Sequence, residues 1–284
     1  MQHIKAGALL CIESTVSIGF TSSVAEEYKD RNVFVAYSPE RIDPGNSSYT
    51  ITNTPKIVSG IGPTAAAIAT EFYSSICEEV ITANLPEEAE AAKLLENSFR
   101  LLNISFVNEM SKFLYRSGVK ASNVIELAST KPYGFMPFKP GLGVGGHCIP
   151  VDPQFLIDSA NRLGLPIKTL EAALMANADG IQFIHELAIR ELGNLSGKKI
   201  LVVGITYKAD TADVRESKAL ELIAMLRDSG ASVDWHDDVI KQYGDETSRA
   251  LTDGYDLAII VNRHKTLEQS LLPKIPTIDC ERLY

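Results

Sequence analysis

The sequence has few cysteines, no excess of basic residues and no long apolar run, and each shortage excludes a class of protein. Its four cysteines, at 11, 77, 148 and 280, are far apart and lack CxxC spacing, which argues against a disulfide scaffold or a zinc site. A net charge of −9 leaves no basic footprint for general nucleic-acid binding. No apolar run approaches the ~18–20 residues that a membrane helix needs. We therefore expect reduced thiols in a cytoplasmic protein without a metal.

The composition that remains is typical of a globular chain with two or three domains. The 284 residues are 45% hydrophobic and 22% charged, which is enough for a substantial core. Near the N-terminus, a short apolar stretch is followed at once by Glu13. We interpret residues 8–12 as a buried strand rather than as part of a secretory signal.

Three successive segments differ in hydrophobic pattern. Residues 1–84 and residues 197–284 alternate short apolar runs with helical patterns, which predicts parallel sheets. Residues 85–196 are helical, apart from a loop over 131–153 that is rich in glycine and proline. The predicted strands are 9–12, 33–37, 57–59, 80–82, 199–204, 232–236, 256–262 and 277–280. The predicted helices are 22–29, 64–76, 86–118, 121–129, 154–163, 168–192 and 219–227. The fold class is therefore predicted to be α/β.

The loop before Cys148 has the features of a covalent catalytic site. Glycines allow close approach of a ligand to the backbone, and a thiolate is a strong nucleophile where cations or amide dipoles stabilise it. His147 and Lys139 are nearby cations, and Asp152 is a candidate proton acceptor. The alternative interpretation is a buried structural cysteine beside a flexible loop. The four glycines of this loop are Gly141, Gly143, Gly145 and Gly146.

Further polar residues lie where chemistry is plausible, each with an ordinary surface alternative. Lys93 and Asn97 share one helix face at i, i+4 and would suit a developing oxyanion, or they form a solvated stripe. Thr15 and Glu40 follow predicted strands, and ligands bind at the carboxyl ends of parallel strands. The charged run Lys208–Glu216 also follows a strand and either lines a site or is a solvated loop.

Residues 60–65 read Gly-Ile-Gly-Pro-Thr-Ala, which matches a dinucleotide-binding GxGxxA pattern only in outline. Pro63 removes an amide where amides should face a pyrophosphate, and the next strand ends without an acid for a ribose hydroxyl. We discount this match.

Taken in order, five motifs resemble the UDP-glucose/GDP-mannose dehydrogenase family over essentially the whole chain. The versions around Glu40 and Cys148 are most similar to the branch that acts on UDP-N-acetylmannosamine or UDP-N-acetylglucosamine. The motifs are Glu13–Val16 with Gly19–Thr21, Ser38–Arg41 with Pro44-Gly45, Lys93–Asn97 with Asn103 and Asn108-Glu109, Gly145–Pro153, and Gly204–Lys208 with Asp213–Ser217.

The resemblance implies two NAD-dependent oxidations at C6 of a UDP-N-acetylhexosamine, with UDP-N-acetylmannosamine favoured. Cys148 would form a thiohemiacetal and then a thioester. Lys93 and Asn97 would stabilise the oxyanion, and Asp152 would assist the hydrolytic water. Glu40 would be a base, with Thr15 holding a water. The implied sugar-nucleotide contacts are Lys139, Gly141, Gly143, Gly145, Gly146 and Lys208, and the implied cofactor contacts are Arg215 and Glu13.

The resemblance also implies a domain organisation. Residues 1–84 would be the later half of a Rossmann-like cofactor domain, 85–196 a central helical dimerisation domain, and 197–284 a Rossmann-like UDP-sugar-binding domain. The family's Gly-rich βαβ unit has no counterpart here, so we expect a separate N-terminal NAD-binding portion or a truncation. The family's arginine before the cysteine is also missing, and Lys131 or Lys139 is its candidate substitute.

A homodimer is expected, because the apolar run 168–192 would otherwise be exposed. Two other functions stay open. One is an inactive UDP-sugar-binding or dimerisation remnant, and the other is a cysteine hydrolase with His147 as its base.

Overall fold

The computed structural model describes residues 4–43, 45–46, 48–146, 148–267, 272 and 274–282. The chain divides into two compact units, each built from two stretches of sequence. The first unit is Met1–Phe99 with Val151–Ile167, and the second is Arg100–Pro150 with Lys168–Tyr284. The three-part division expected from the sequence stays a prediction.

A four-stranded sheet forms the centre of the first unit. Its strand order follows the chain, and each parallel pair of strands is joined through a helix. A 31-residue helix begins in this unit and ends in the second. The elements are β1 (Leu9–Ile12), α1 (Phe20–Tyr28), β2 (Phe34–Tyr37), β3 (Lys56–Gly60), α2 (Gly62–Ser74), β4 (Val80–Thr82), the first part of α3 (Pro86–Arg116) and α5 (Asp152–Arg162), with a 3-10 turn at Lys29–Arg31.

The expectation of a wholly parallel sheet is wrong at one position in this unit. β2 and β3 pair antiparallel, with only Ala36 opposite Gly60 and Tyr37 opposite Ser59 in register. A parallel neighbour requires a crossover, usually through a helix. The described residues between β2 and β3 form no helix. The chain therefore returns in the opposite direction.

Small residues allow α2 to lie directly on this sheet. A Cβ atom added to Gly60 would stand 2.2 Å from the backbone nitrogen of Ala66, so only glycine fits. Ala36 and Val58 of the strands pack against Ala69 and Tyr73 of the helix.

The second unit contains a parallel four-stranded sheet and most of the helices. Its strand order is β10-β9-β5-β6, so β6 lies on one side of β5 and β9, followed by β10, lies on the other. The elements are the rest of α3, α4 (Ala121–Ser129), α6 (Lys168–Leu192), β5 (Lys199–Val203), α7 (Lys218–Asp228), β6 (Ser232–His236), β7 (Gln242–Tyr243), β8 (Glu246–Thr247), β9 (Leu257–Ile260) and β10 (Thr277–Asp279).

Both faces of this second sheet are buried, as expected for a parallel sheet. On one face, Ile200 and Val202 pack with α6, α7 and Trp235, whose side chain is 2% exposed. On the other face, Leu201, Val203 and Ile260 form a separate cluster. The strand period of two thus places successive residues of β5 in different cores.

The α/β fold class predicted from the sequence is confirmed, and most predicted elements agree with the structure to within two residues. One boundary matters for function. The loop was expected to reach 153, but α5 begins at Asp152, because an acid and Pro153 suit the first turn of a helix. Among the described residues, no helix has the length and apolarity to span a membrane.

Candidate active site

Asp152 is the centre of a buried polar cluster in the first unit. Its side chain lies at the start of α5 and the residue is 3% exposed. One carboxylate oxygen, Oδ2, accepts hydrogen bonds from Thr15 Oγ1 at 3.1 Å and from Asn97 Nδ2 at 2.5 Å. Three residues selected from the sequence therefore meet at one oxygen. Such a carboxylate is held in a fixed orientation and can accept a proton from a water molecule.

Lys93 and Glu40 meet in the same unit through a backbone contact. The ammonium of Lys93 donates to the carbonyl oxygen of Glu40 at 2.6 Å. The carboxylate of Glu40 accepts from the backbone N–H groups of Arg41 and Ile42 at 2.7 and 2.6 Å. Arg41 in turn forms a two-bond ion pair with Glu96, one helical turn from Lys93. The segment after β2 is thereby attached to α3, which fixes the position of Glu40.

Sequence reasoning missed the partners of Glu13. The ammonium of Lys56 lies 3.3 Å from Glu13 Oε1 and 3.9 Å from Glu40 Oε2, although its side chain is only 7% exposed. Tyr73 donates to Glu13 Oε1 at 2.7 Å. Burial and the hydrogen bonds of Tyr73 to Cys11 and Glu13 raise the pKa of Tyr73, so it stays a neutral donor. Lys56 begins a strand without any local motif, so the sequence offered no signal for it.

Cys148 belongs to the second unit and is exposed, which agrees better with a reactive thiol than with a buried structural cysteine. The nearby guanidinium of Arg215 is held by Asp213, with bonds of 2.6 to 3.0 Å. The pKa of Arg215 is raised, chiefly by the hydrogen bond and charge of Asp213 and to a smaller extent by Tyr207 and Cys148. The loop before Cys148 contacts Glu216, the residue after Arg215, so the thiol and the guanidinium belong to adjoining segments.

The other three cysteines lie in less reactive surroundings. Burial raises the pKa of Cys11 and of Cys280, and Cys77 is 6% exposed. His147, the neighbour proposed as a hydrolase base, lies outside the described residues.

The glycines before Cys148 are packed against other parts of the second unit. A Cβ atom on Gly145 would stand 2.6 Å from the carbonyl oxygen of Glu216, and one on Gly146 would stand 2.9 Å from the ring of Tyr207. Gly146 N also donates to Glu216 O at 3.3 Å. These contacts explain why glycine is needed at both positions. A substrate-binding role for them stays a prediction.

The two lysines predicted to bind the sugar nucleotide lie on different segments of the second unit. Lys208 follows β5, where its carbonyl oxygen accepts from Thr206 Oγ1 at 2.9 Å. Lys139 is exposed, two residues before Gly141.

A buried carboxylate–imidazole pair lies at the carboxyl ends of β5, β6 and β9. Asp237 is 0% exposed and accepts from the backbone N–H groups of Ile205, Val239 and Ile240, each at 2.8 Å. His264 Nε2 lies 3.1 Å from Asp237 Oδ2, and its Nδ1 accepts from Asp210 N at 2.9 Å. The pair fixes the loop that contains Lys208. Sequence reasoning missed it, since the three strands come together only in the fold.

The GxGxxA pattern at 60–65 does not fit a dinucleotide. The space beside Gly60 is filled by the backbone of α2, and Pro63 lies in the first turn of that helix without an N–H group. A pyrophosphate needs both free space and amide donors at this point. Among the described residues, no group of three or more His, Cys, Asp or Glu side chains is arranged to hold a metal ion.

Two family models match the chain. The central domain of the UDP-glucose/GDP-mannose dehydrogenase family matches residues 87–179, and its UDP binding domain matches residues 201–283. A UDP-N-acetyl-D-glucosamine 6-dehydrogenase from Pseudomonas aeruginosa is 32% identical over 96% of this chain and 69% of its own length. The chain belongs to the UDP-glucose/GDP-mannose dehydrogenase family.

Other members of this family extend the comparison. A UDP-N-acetyl-D-mannosamine dehydrogenase from Methanococcus maripaludis is 32% identical over 97% of this chain and 65% of its own. The structure of a UDP-D-ManNAc dehydrogenase from Pyrococcus horikoshii gives a TM-score of 0.87 at 29% identity, covering 99% of this chain and 70% of that one. A UDP-glucose dehydrogenase from Pyrobaculum islandicum gives 0.84 at 28% identity, covering 98% and 68%.

The chain is shorter than the family members that it matches. It spans between 61% and 69% of the length of three of these curated dehydrogenases. The sequence-level resemblance to this family is thus confirmed.

Proposed function

We propose that the chain oxidises C6 of a UDP-N-acetylhexosamine, with UDP-N-acetylmannosamine favoured, to the uronate for polysaccharide precursor synthesis. The observation that carries this proposal is an exposed Cys148 at the end of a glycine loop that packs on Glu216, next to Arg215, in a member of a nucleotide-sugar dehydrogenase family. Oxidation of an alcohol to an acid removes four electrons. It needs a group that retains the aldehyde between the two steps, and a thiol does this covalently.

The C6 alcohol loses a hydride and a proton to become an aldehyde. The sulfur of Cys148 adds to the aldehyde carbon, and the carbonyl oxygen takes up a proton to give a thiohemiacetal. This loses a second hydride and a proton to give a thioester, and water then releases the carboxylate and the thiol. NAD, when bound, supplies the two-electron acceptor for both oxidations.

The first unit supplies the acid–base groups of this proposal. Asp152, held by Thr15 and Asn97, accepts a proton from the hydrolytic water. Lys93 supplies the positive charge for the oxyanion, and Glu40 acts as a base. Thr15 is proposed to hold a water and Asn97 to support Lys93, as the family resemblance implies.

The second unit supplies the substrate-binding groups. The family's UDP binding domain matches it from residue 201, which supports a role for Lys208 at the nucleotide sugar. Lys139 and the glycines 141, 143, 145 and 146 complete the proposed substrate contacts. Glu13 and Arg215 are the proposed NAD contacts of this chain. Because the GxGxxA pattern at 60–65 does not fit a dinucleotide, we propose that NAD binds mainly to a separate N-terminal portion.

Titration of the purified chain with UDP-sugars in a calorimeter tests the proposal. We expect UDP-N-acetylmannosamine to bind with a dissociation constant on the order of micromolar, at least about tenfold below that of UDP-glucose, because a pocket that recognises the N-acetyl group leaves polar groups unpaired without it. Lys208→Ala should weaken binding by about tenfold or more through loss of a charge-assisted contact. An exposed lysine elsewhere, Lys5→Ala, is the control.

The outcomes separate the competing functions. Binding, together with NADH formation at 340 nm when NAD and the proposed N-terminal portion are supplied, supports the dehydrogenase. Binding without NADH formation under those conditions supports an inactive UDP-sugar-binding remnant. Failure to bind any of the sugars contradicts both, and ester hydrolysis that Cys148→Ala abolishes would favour the cysteine hydrolase.

We also propose a homodimer, which forms through α3 and not through α6 as the sequence suggested. The apolar face of α6 is buried within the second unit, through Ile181, Ile184 and Leu187. A stripe of exposed apolar residues lies instead along α3, where helical spacing places five of them within an arc of about 60°. They are Leu95, Phe99, Phe106, Met110 and Phe113.

Burial of this stripe by a second copy would remove a large apolar surface from water. Sedimentation equilibrium at micromolar concentration should therefore give a mass of about 62 kDa, twice the 31.0 kDa chain. Phe106→Glu should give the monomer, with Lys5→Glu as a surface control. A monomeric wild-type chain would contradict the proposal.

A further inference from the structure

The segment before Cys148 is attached to helix α6 by the side chain of a buried asparagine. Asn177 Oδ1 accepts from Val144 N at 2.6 Å, and Asn177 Nδ2 donates to Val144 O at 3.1 Å. The amide group thus satisfies both backbone groups of one loop residue, as a neighbouring strand would. Asn177 is 5% exposed and Val144 is 7% exposed, so water cannot replace these bonds without opening the loop.

One helical turn further along, Gly180 has no side chain, which allows the backbone of the same loop to contact the helix. A Cβ atom at Gly180 would stand 2.1 Å from the carbonyl oxygen of Leu142 and 2.9 Å from its carbonyl carbon. These are backbone atoms, so no side-chain rotation relieves the overlap. Gly143 lies on Asn177 itself: its φ is +130°, and a Cβ there would approach the Asn177 carbonyl oxygen to 3.0 Å. Helix and loop therefore fit each other only with these residue types.

We infer that Asn177 and Gly180 are positioning residues, which hold the Cys148 loop on α6 so that the thiol stays beside Arg215. The inference rests on the proposed function of Cys148. The glycine loop lies on α6 at residues 142–144 and on Tyr207 and Glu216 at residues 145–146. One residue separates Gly146 from Cys148 in the sequence. A change in where residues 142–144 lie on α6 therefore moves Cys148, although Asn177 and Gly180 do not touch the substrate.

Gly180 is not explained by the stability of helix α6. Glycine within a helix is unfavourable relative to alanine, so alanine would be the better residue for α6 alone. Only the close approach of the Leu142 backbone favours glycine at this position. Gly180→Ala should therefore stabilise the isolated helix but displace the loop.

The alkylation rate of Cys148 tests the inference independently of turnover. The folded chain is treated with iodoacetamide, and the modified cysteines are followed by mass spectrometry, with Cys11 of the same molecule as the internal reference. In the wild type, Cys148 should react at least tenfold faster than Cys11. Asn177→Leu, which removes both hydrogen bonds at similar size, and Gly180→Ala should each slow Cys148 at least fivefold. Cys148 is already exposed, so displacement from Arg215 outweighs any gain in access.

Two control variants distinguish a displaced Cys148 loop from a general loss of stability. Ala178→Gly weakens α6 at an exposed position beside Asn177. Gly254→Ala adds a methyl group whose nearest non-adjacent atom among the described residues is the Thr252 hydroxyl oxygen, at 3.8 Å. Neither should change the rate for Cys148. In an Arg215→Gln background, Gly180→Ala should have no further effect, because the partner of the thiolate is already absent. Fluorescence of Trp235 verifies that each variant is folded.

The inference is overturned if Asn177→Leu and Gly180→Ala leave the rate for Cys148 unchanged, or if Ala178→Gly slows it equally. Once turnover is measured, the two variants should lower kcat with little change in KM for the UDP-sugar. A failure of the chain to bind any UDP-sugar would instead contradict the proposed function, and the alkylation result would stand apart from it.

Discussion

Cys148→Ser is expected to lower the rate of uronate formation by about 10³-fold or more, while the UDP-sugar dissociation constant stays within a factor of about two. A serine hydroxyl is a far weaker nucleophile than a thiolate, and the charge of Arg215 gives it no comparable activation. Since the first oxidation does not use the sulfur, the aldehyde should form and then be released or accumulate. The measurement is NADH formed per sugar at 340 nm, with the products analysed by mass spectrometry.

Cys77→Ser is the matched control. Cys77 is buried in the first unit, and its thiol donates to the carbonyl oxygen of Ile51 at 3.3 Å, a bond that serine retains. The control should keep its activity to within about threefold, because a conserved hydrogen bond changes little. Uronate formation by Cys148→Ser at the wild-type rate would show that no covalent intermediate forms at this residue.

Asp237→Asn is expected to lower the free energy of unfolding of the second unit by about 3 kcal/mol at pH 7. The carboxylate accepts three backbone N–H groups and faces His264, with no exposure to solvent. Asparagine keeps one acceptor oxygen but directs an amide N–H group at existing donors. The loss is that of a buried, fully satisfied acceptor rather than of a surface charge.

The pH dependence of this effect follows from the pKa of Asp237. Burial by itself would raise that pKa. The hydrogen bond and charge of His264, with the N–H groups of Ile240 and Val239, outweigh burial and lower it to about 2, from 3.8. A carboxyl group with a lowered pKa stabilises the fold above its unfolded pKa, here by about 2 kcal/mol, and loses this as the pH falls from about 4 to about 2. Asp237→Asn should remove this acid-dependent loss.

Trp235 makes the measurement specific to this unit. It is the only tryptophan of the chain, it is buried, and it lies two residues before Asp237. Urea unfolding followed by its fluorescence should give a difference between wild type and variant that is largest near pH 7 and smallest near pH 2. Asp238→Asn, at a partly exposed neighbour, is the control. A difference that does not change with pH would contradict the role of the ionised carboxylate.

Local pattern in the sequence determined much of the fold. β1, β4, α4 and β6 coincide with their predicted bounds, because apolar periodicity and turn residues act over a few neighbouring positions. The same reasoning could not anticipate the antiparallel β2–β3 pair. That pairing depends on the path of residues 38–55, which carry no periodic pattern.

The candidate site divides in the same way. Thr15, Asn97, Asp152 and Cys148 were selected from the sequence by residue type, position and family resemblance. The residues that hold Glu13 and the loop before Cys148 were not, since Lys56, Tyr73 and Asn177 belong to no motif and lie far along the chain from the groups they contact. A buried lysine or a glycine within a helix is recognised only when its neighbours in space are known.

The antiparallel pair of the first sheet decides which parts of the chain fix the position of Glu40. β1-α1-β2 and β3-α2-β4 are two βαβ units, and their strands share a ladder of two residue pairs. Side chains reinforce this ladder, since Ser38 Oγ donates to Ile57 O at 2.8 Å and Ser59 Oγ donates to Tyr37 O at 3.2 Å. Helix α2 also packs on the strands of both units. Because Ser38 lies two residues before Glu40, the position of the proposed base depends on both βαβ units and not on its own strand alone.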